Sequence, residues 1–203
     1  MRETSAGVAV VVVAGGSGSR FDPSGGPADG VLAAKLTAPL GGSTVLGTLL
    51  EGLDEWSAGR DVPVVVVGPG GVREDPPGGG PLAGFAAGLA ALQEGPGLEF
   101  VVLLGADQPF AAPAVPRLLA ALAGDRSLDA VVGVDPGGRR QPLLSAHRLT
   151  AARRVLDGLP AVHDRPLREM FRGRLAEVAV SARESLDVDD PDDLVRAAGV
   201  LEG

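Results

Sequence analysis

The sequence predicts an α/β protein in which a mostly parallel central sheet lies between layers of helices. The first observation behind this prediction is that short, continuously apolar runs recur along the 203 residues, as in strands buried on both faces. The second is that longer amphipathic segments separate these runs. The length suits one domain, and neither a linker nor an internal repeat is visible. We therefore expect a single domain over residues 1–203.

The predicted strands are short apolar segments. Four are continuous apolar runs, at residues 7–13, 62–67, 99–105 and 129–134. Two less regular strands are predicted at residues 141–146 and 176–180. Two loops are predicted from stretches rich in glycine and proline, at residues 22–34 and 68–80.

The predicted helices lie between these strands. The first begins with Thr44 and places Val45 and four leucines along one stripe. Asp190 and Pro191 mark the start of the last helix, as its N-cap and its first helical residue. The predicted helices cover residues 44–57, 82–93, 113–123, 149–157, 165–172 and 191–201.

The composition excludes several classes of protein. With a formal net charge of −8 and a pI near 4.7, the chain lacks the clustered basic charge of a nucleic-acid groove, so we expect no nucleic-acid partner. The absence of cysteine excludes disulfides, thiolate metal sites and a cysteine nucleophile. No apolar run approaches the ~20 residues of a membrane span, and residues 8–13 are too short for a secretory signal. We expect a cytoplasmic protein with no membrane partner.

The first predicted strand runs directly into a glycine-rich turn, Ala14-Gly15-Gly16-Ser17-Gly18-Ser19-Arg20. The N–H groups of such a turn can hold phosphate oxygens, and the forked guanidinium of Arg20 can bind a phosphate through two nitrogens. The turn lacks the Gly-Lys-Ser/Thr of a P-loop and does not follow Gly-x-Gly-x-x-Gly. It predicts a phosphate site, with a plain flexible turn as the alternative.

Lys35 is the one lysine in a chain that has 17 arginines. Its ammonium could reach the same phosphates as Arg20 and stabilise the charge that builds on a leaving group. A solvated surface lysine is the alternative. That alternative is weakened because surface lysines elsewhere in the chain are replaced by arginine.

Acidic residues that could hold a metal occur in two segments of the chain. Asp107 comes just after the apolar residues 99–104, where open α/β sheets bind ligands, and can hold Mg²⁺ together with waters and phosphates. Asp187 and Asp189 share one face of an extended segment and could hold a second side of the same metal. The alternative for these residues is the capping of a turn or helix.

Three further features carry weaker signals. Residues 81–89 begin a helix with small residues on one face, which suits either a nucleotide or close packing of the helix on the sheet. His147 and His163 have no Asp or Ser constellation around them, so we expect neither to be catalytic. Arg139 and Arg140 form a basic turn that could receive an anionic substrate or be a solvated hairpin.

Taken together, the motifs occur in a defined order along nearly the whole chain. They are Val13-Ala14-Gly15-Gly16-Ser17-Gly18-Ser19-Arg20-Phe21, Lys35, Gly80-Pro81-Leu82-Ala83-Gly84, Ala106-Asp107-Gln108-Pro109-Phe110, Gln141-Pro142-Leu143 and the stretch 187–194. This series resembles the molybdenum cofactor guanylyltransferases. The family's motifs read Leu-Ala-Gly-Gly-x-Ser-x-Arg-Met, a lysine, Gly-Pro-Leu-Ala-Gly, Cys-Asp-Met-Pro-Phe, His/Gln-Pro-Leu and Asn-x-Asn-Thr-Pro-Glu-Asp-Leu.

The resemblance implies a three-layer α/β/α Rossmann-like nucleotidyltransferase fold. It also implies a reaction, the Mg²⁺-dependent transfer of GMP from GTP to the phosphate of molybdopterin with release of pyrophosphate. The partners would be two small molecules, GTP and molybdopterin. The oligomeric state stays open, a monomer being one option.

The same resemblance implies a nucleotide site. The residues that would hold the nucleotide and its phosphates are Val13, Ala14, Gly15, Gly16, Ser17, Gly80, Pro81 and Leu82. Asp75, in the loop before Gly80, would contact the guanosine. Lys35 would neutralise charge at the α- and β-phosphates.

The resemblance also assigns the metal and the catalytic residues. Asp107 would bind Mg²⁺, and the acidic pattern adds Asp187 and Asp189 as metal ligands. The catalytic residues would then be Arg20, Lys35 and Asp107.

The chain departs from the family's pattern in ways that keep other functions open. Arg20 and Lys35 are 15 positions apart, further than in the family, and Gly68 replaces an asparagine. The segment Ala106-Asp107-Gln108-Pro109 also resembles the related cytidylyltransferases. The alternatives are therefore a cytidylyltransferase acting on molybdopterin or another phosphorylated metabolite, and a nucleotide-binding protein without turnover.

Overall fold

The computed structural model describes residues 7–15, 21, 32–92 and 97–202. The strands in these ranges are β1 (Gly7–Val13), β2 (Pro39–Leu40), β3 (Ser43–Thr44), β4 (Val64–Val67), β5 (Leu98–Gly105), β6 (Ala130–Val134), β7 (Arg140–Arg148) and β8 (Leu175–Ala179). The helices are α1 (Ala34–Thr37), α2 (Val45–Ser57), α3 (Gly80–Ala91), α4 (Val115–Gly124), α5 (Leu149–Asp157) and α6 (Pro191–Glu202). Two 3₁₀ turns cover Ala112–Ala114 and Leu167–Phe171.

Six of these strands form one sheet in the order β4-β1-β5-β7-β6-β8, and all of them except β7 run parallel. β7 runs the other way because residues 135–139 join it to β6 in a short turn, which can connect only antiparallel neighbours. This turn is closed by the Asp135 N–H, which donates to the Arg139 carbonyl over 3.0 Å. The predicted α/β class with a mostly parallel sheet is therefore confirmed.

The core lies on both faces of the sheet. Val10 and Val12 of β1 pack with side chains of α2 and α4, whereas Val11 packs with side chains of α3 and α5. This alternation follows from the two-residue period of a strand. Because both faces are covered, β1 must be apolar at every position, as the continuous apolar run predicts.

Helix α3 approaches the sheet closely through its glycines. A Cβ atom on Gly84 would lie 3.1 Å from Val13 Cγ1, and one on Gly88 would collide with Val11. The small residues that follow Pro81 on this face therefore allow the helix to pack against β1. This is the packing alternative that the sequence left open for residues 81–89.

Most predicted elements are present within a few residues of their predicted ends. The predicted helix at 165–172 is wrong, because that segment forms only the 3₁₀ turn Leu167–Phe171. The Glu169 N–H donates to the Pro166 carbonyl over 3.1 Å, and Leu167 and Met170 are both buried. Two apolar residues three positions apart share one face of a 3₁₀ turn, so the tighter turn buries both.

The structure contains some short elements that the sequence did not predict. Helix α1 and the β2–β3 hairpin are too short to show a hydrophobic period. Of the predicted loop at 22–34, the structure describes only residues 32–34, and helix α1 begins at the last of these. Within the described ranges, no helix combines the length and the apolar character needed to cross a membrane.

His147 is a fully buried polar residue on β7. Its Nε2 lies 3.0 Å from the Ser145 hydroxyl, and its ring lies 5.4 Å from the rings of Phe85 and Phe171. Burial lowers the pKa of His147 from 6.5 to about 4, because the interior disfavours the imidazolium. The folded protein therefore holds this imidazole in its neutral form at neutral pH.

We expect His147 to make the protein less stable in mild acid. Below pH 6.5 the unfolded chain binds a proton on this imidazole that the folded chain does not bind until about pH 4, so the free energy of unfolding falls across this window. Between pH 7.5 and pH 5 the wild type should lose about 2 kcal/mol more than His147→Gln, measured by urea unfolding. Equal losses in wild type and His147→Gln would contradict the prediction.

Candidate functional site

An ammonium and two carboxylates meet beyond the carboxyl end of β5. Lys35 Nζ donates to Asp107 Oδ2 over 2.7 Å and to Asp189 Oδ1 over 2.8 Å. The Lys35 side chain is 9% exposed, whereas the two carboxylates remain partly open to solvent. The fold thus brings together three predicted site residues from distant parts of the chain.

Asp107 is positioned by the turn that leaves β5. The Ala106 N–H donates to the Val13 carbonyl over 3.0 Å, and the Gln108 N–H donates to the Gly105 carbonyl over 3.2 Å. A Cβ atom on Gly105 would lie 2.7 Å from Asp107 Oδ1. A side chain at residue 105 would therefore push this carboxylate out of its present place.

Lys35 is positioned by packing rather than by helix stability. Helix α1 has only four residues, too few to be stable alone. Leu36 and Ala33 are buried in the core cluster that contains α2 and α4. The Ala38 carbonyl accepts a hydrogen bond of 3.1 Å from the Val45 N–H at the start of α2. These contacts hold the chain on both sides of Lys35.

Asp189 lies in the segment between β8 and α6. The Val188 N–H donates to the Asp107 carbonyl over 2.9 Å, so a backbone hydrogen bond joins the segment of Asp189 to that of Asp107. Asp193 Oδ2 accepts from the N–H groups of Asp189 and Asp190, and Asp190 Oδ1 accepts from the Asp193 N–H over 2.9 Å. This reciprocal pair confirms Asp190 as the N-cap of α6.

The charges of the site are strongly coupled. Burial opposes the charged form of Lys35, but the attraction of Asp107 and the hydrogen bonds to Asp107 and Asp189 outweigh it, so the pKa of Lys35 is raised. Burial raises the pKa of Asp187, and repulsion from Asp189, Asp107 and Asp193 raises it further. Because these carboxylates repel one another, the binding of a further cation among them would be favourable.

A divalent cation suits this donor set. Asp107 and Asp189 present oxygens from two chain segments toward one point, now bridged by Lys35. Mg²⁺ commonly binds through one or two carboxylates, with waters and substrate phosphates completing its shell. Within the described ranges, no three His, Cys, Asp or Glu side chains are grouped to hold a metal by themselves. The residues thus fit Mg²⁺ shared with a phosphate ligand, and Asp187 as a third protein ligand stays a prediction.

The carboxyl end of β1 lies next to that of β5, because Val13 pairs with Gly105. Val13 and Ala14 are buried, and the Ala14 N–H donates to the Val67 carbonyl over 2.7 Å. Gly15 is exposed just beyond them. The other predicted residues of the turn lie outside the described residues, namely Gly16, Ser17 and Arg20.

The first turn of α3 contains the other predicted nucleotide residues. Gly80 and Pro81 are exposed, whereas the Leu82 side chain is fully buried in the core, so Leu82 could offer a ligand only its backbone. Asp75 is exposed in the loop that precedes the helix. Gly68 is packed against Ala14, because a Cβ atom on it would lie 3.0 Å from the Ala14 carbonyl oxygen.

The basic turn between β6 and β7 is balanced by acidic side chains. Arg139 Nε lies 3.4 Å from Asp135 Oδ2, and Arg140 Nε lies 2.6 Å from Glu177 Oε1. Gln141 Nε2 also donates to Asp135 Oδ2, over 2.8 Å. Both guanidinium groups remain exposed, and the two carboxylates largely balance their charge.

Two residues that shape the site are not among the predictions. Gly105 matters because of a steric contact with Asp107, for which the sequence contains no signal. Asp193 anchors the backbone of Asp189. Its signal was present, because an N-cap at Asp190 with an acidic residue three positions later is the spacing of a capping box.

The sequence of residues 10–180 matches the family described as MobA-like NTP transferase domain. This range includes the turn after β1, Lys35 and Asp107, whereas Asp187 and Asp189 lie beyond it. A search of curated protein sequences finds no significant match.

Similar solved structures cover nearly the whole chain. The molybdopterin-guanine dinucleotide biosynthesis protein A of Archaeoglobus fulgidus is 21% identical over 96% of this chain and 98% of its own, with a TM-score of 0.64. The 4-diphosphocytidyl-2C-methyl-D-erythritol synthase of Anaerococcus prevotii is 16% identical over 97% and 99%, with a TM-score of 0.61. A Mycobacterium tuberculosis protein in complex with manganese is 20% identical over 96% and 99%, with a TM-score of 0.58.

These likenesses confirm the fold that the motifs predict. The central sheet is mostly parallel with helices on both faces, and the same architecture is found in known nucleotidyltransferases. The family match spans most of the sheet and contains two of the three residues of the charged cluster. The chain therefore belongs to the MobA-like NTP transferase domain family and is a nucleotidyltransferase.

Proposed function

We propose that this chain transfers GMP from GTP to the phosphate of molybdopterin, forming a guanine dinucleotide cofactor and releasing pyrophosphate. The observation that carries the proposal is the cluster of Lys35 with Asp107 and Asp189. Nucleotidyl transfer needs a cation near the leaving pyrophosphate and carboxylates for a metal, and this cluster contains both. The name of the Archaeoglobus fulgidus relative supports the choice of base and acceptor.

The reaction needs no nucleophilic side chain. An oxygen of the molybdopterin phosphate attacks the α-phosphorus of GTP and forms a new P–O bond. The bond between the α-phosphorus and the α,β-bridging oxygen breaks, and pyrophosphate leaves with its electron pair. The protein's contribution is to position both phosphates and to neutralise their charge.

Lys35 is the residue that we assign to charge neutralisation. Its pKa is raised, so the ammonium persists at neutral pH, and its position is set by two carboxylates before any substrate arrives. A cation oriented in advance stabilises the developing charge on the leaving group without a reorganisation step. Arg20 would add a second, forked contact to the phosphates.

The nucleotide is proposed to lie across the carboxyl ends of the parallel strands. The backbone of residues 13–17 would hold its phosphates, and Gly80, Pro81 and Leu82 would line its other side through their backbone. Both segments follow parallel strands, where open α/β sheets bind their ligands. Asp75, exposed in the loop before α3, would contact the guanosine.

Mg²⁺ is the proposed cofactor. Asp107 and Asp189 would hold it together with nucleotide phosphates, and Asp187 would be a further ligand. When bound, the ion would act as a Lewis acid that withdraws charge from the phosphates. The manganese in the Mycobacterium tuberculosis relative supports a divalent metal in this fold.

A cytidylyltransferase is the second candidate function. It is favoured by Gly68, because the contact of this residue with Ala14 leaves no room for the asparagine of the guanylyltransferases. The Anaerococcus prevotii relative, whose name denotes synthesis of a cytidine diphosphate product, has the same fold. The acceptor would then be molybdopterin or another phosphorylated metabolite.

Calorimetric titration with GTP, CTP and ATP in the presence of Mg²⁺ tests the choice of base. We expect GTP to bind at least about tenfold more tightly than the other two, since one hydrogen-bonded base edge is worth roughly 1–2 kcal/mol. Tighter binding of CTP would overturn the guanine assignment in favour of the second candidate. GTP binding without pyrophosphate release in the presence of molybdopterin would indicate a nucleotide-binding protein without turnover.

A further inference from the structure

Glu184 is a buried carboxylate that the proposed reaction does not use. Its Oε2 accepts three hydrogen bonds, from Arg117 Nη2 over 2.8 Å, from the Ser181 N–H over 2.7 Å and from the Ser181 hydroxyl over 3.0 Å. The Glu184 side chain is 7% exposed. Burial opposes its charged form, but the hydrogen bonds from Arg117 and Ser181 prevail, so the pKa of Glu184 is lowered. A buried charge with this many donors holds the chain around it in a defined shape.

Arg117 connects this carboxylate to two other elements. It lies on α4, its Nη2 also approaches the carbonyl of Ala179 at the end of β8 within 3.5 Å, and its Nη1 donates to the Pro113 carbonyl over 3.3 Å. The guanidinium therefore joins α4, the end of β8 and the turn 181–185. This turn directly precedes the segment that contains Asp187 and Asp189.

The segment that contains Asp187 and Asp189 is held at both ends by buried carboxylates. Glu184 fixes its start, and Asp193 fixes its end by accepting from the Asp189 N–H over 2.9 Å. Between these points, the Val188 N–H donates to the Asp107 carbonyl over 2.9 Å. A shift of the turn at Glu184 would therefore move Val188 and Asp189 relative to Asp107.

We propose that Glu184, paired with Arg117, is a positioning residue that sets where Asp187 and Asp189 stand relative to Asp107, and thereby sets the affinity of the site for a divalent cation with its nucleotide. This inference rests on the proposed function. Neither residue touches substrate or metal. Their effect passes through the turn 181–185 and the hydrogen bond between Val188 and Asp107.

Glu184→Gln tests the role of the charge at nearly constant size. The neutral amide cannot form an ion pair with Arg117, and where its NH₂ group takes the place of Oε2 it cannot accept the two hydrogen bonds that Ser181 donates. Glu169→Gln is the matched control. Glu169 is equally buried and pairs with Arg172 over 2.7 Å, but it lies on the 3₁₀ turn that packs with α3 and α5. Arg117→Met removes the cation from a side chain that is 47% exposed, and Arg117→Lys restores the charge.

Amide hydrogen exchange of the protein without ligands measures the position of the segment. We expect faster exchange of the Val188 N–H in Glu184→Gln and Arg117→Met, and wild-type exchange in Glu169→Gln. Arg117→Lys should recover part of the protection. If Glu184→Gln does not fold, Arg117→Met still tests the proposal, because the side chain that it replaces is about half exposed. Unchanged Val188 exchange in Arg117→Met and Glu184→Gln would overturn the proposal.

Binding of Mn²⁺ with GTP, followed by electron paramagnetic resonance without any acceptor, measures the consequence. We expect the Mn²⁺ dissociation constant to rise about 10- to 100-fold in Glu184→Gln, the usual effect of losing a group that orients metal ligands. Glu169→Gln should bind as the wild type does. Wild-type Mn²⁺ affinity in Glu184→Gln would overturn this inference alone. A wild type that binds neither Mn²⁺ nor GTP would overturn the proposed function instead.

Discussion

Replacing Lys35 by alanine is expected to lower kcat/KM for pyrophosphate release from GTP about 100- to 1000-fold, the usual cost of removing one electrostatic donor. The ammonium lies between Asp107 and Asp189, and its raised pKa keeps it charged at neutral pH. Its loss removes the charge that we place at the leaving pyrophosphate. Initial rates with GTP, Mg²⁺ and molybdopterin measure the effect.

Two control variants separate this role from a general effect of charge. Lys35→Arg keeps the positive charge but replaces a compact ammonium by a planar fork, so we expect activity between that of the wild type and that of Lys35→Ala. Arg154→Ala removes an exposed cation paired with Asp129 and should leave the rate unchanged. A rate for Lys35→Ala within about twofold of the wild type would place Lys35 outside the reaction.

Asp107→Asn is expected to lower kcat/KM at least about 100-fold and to raise the Mg²⁺ concentration needed for half-maximal activity. The amide has nearly the shape of the carboxylate but no charge, and a bound metal contributes several kcal/mol to stabilising the transition state. The same change removes the ion pair of 2.7 Å with Lys35. Pyrophosphate release measured over a series of Mg²⁺ concentrations gives both quantities.

Asp190→Asn is the matched control for Asp107→Asn. Asp190 lies in the neighbouring acidic segment, where its carboxylate caps helix α6. Asparagine is as good an N-cap as aspartate, so the helix should be retained and activity should stay close to that of the wild type. If Asp107→Asn keeps its activity and its Mg²⁺ dependence, the metal assignment is wrong.

The sheet could be predicted because its signal is local. A strand buried on both faces must be apolar at every position, and the predicted strand at 7–13 has the same bounds in the structure. The antiparallel direction of β7 could not be predicted from that strand alone. It follows from the short turn at residues 135–139, which joins β7 to β6.

The failed helix prediction shows the limit of local periodicity. Leu167 and Met170 have a spacing that both an α-helix and a 3₁₀ turn allow. Their burial against the cluster of α3 and α5, after Pro166, is achieved with a single tight turn. Tertiary packing therefore decided between two structures that the sequence pattern allows equally.

The candidate site was predictable as a set of residues but not as an arrangement. Lys35 is marked by its rarity, Asp107 by its place after an apolar strand, and Asp189 by sharing one face of an extended segment with Asp187. Nothing in the sequence predicted that the ammonium bridges both carboxylates, because 72 and 154 positions separate it from them. The steric need for Gly105 is likewise visible only where its neighbour Asp107 folds back toward it.

The α/β class, the long strands and helices and the identity of the charged residues follow from the sequence alone, because apolar period and residue chemistry are local properties. The structure alone decided three further features, the bridging position of Lys35, the hydrogen bond between Val188 and Asp107, and the contact of Arg117 with Glu184. Each of these joins segments that meet only when the sheet has assembled. Their geometry is set by the packing of many side chains together, which no single stretch of sequence contains.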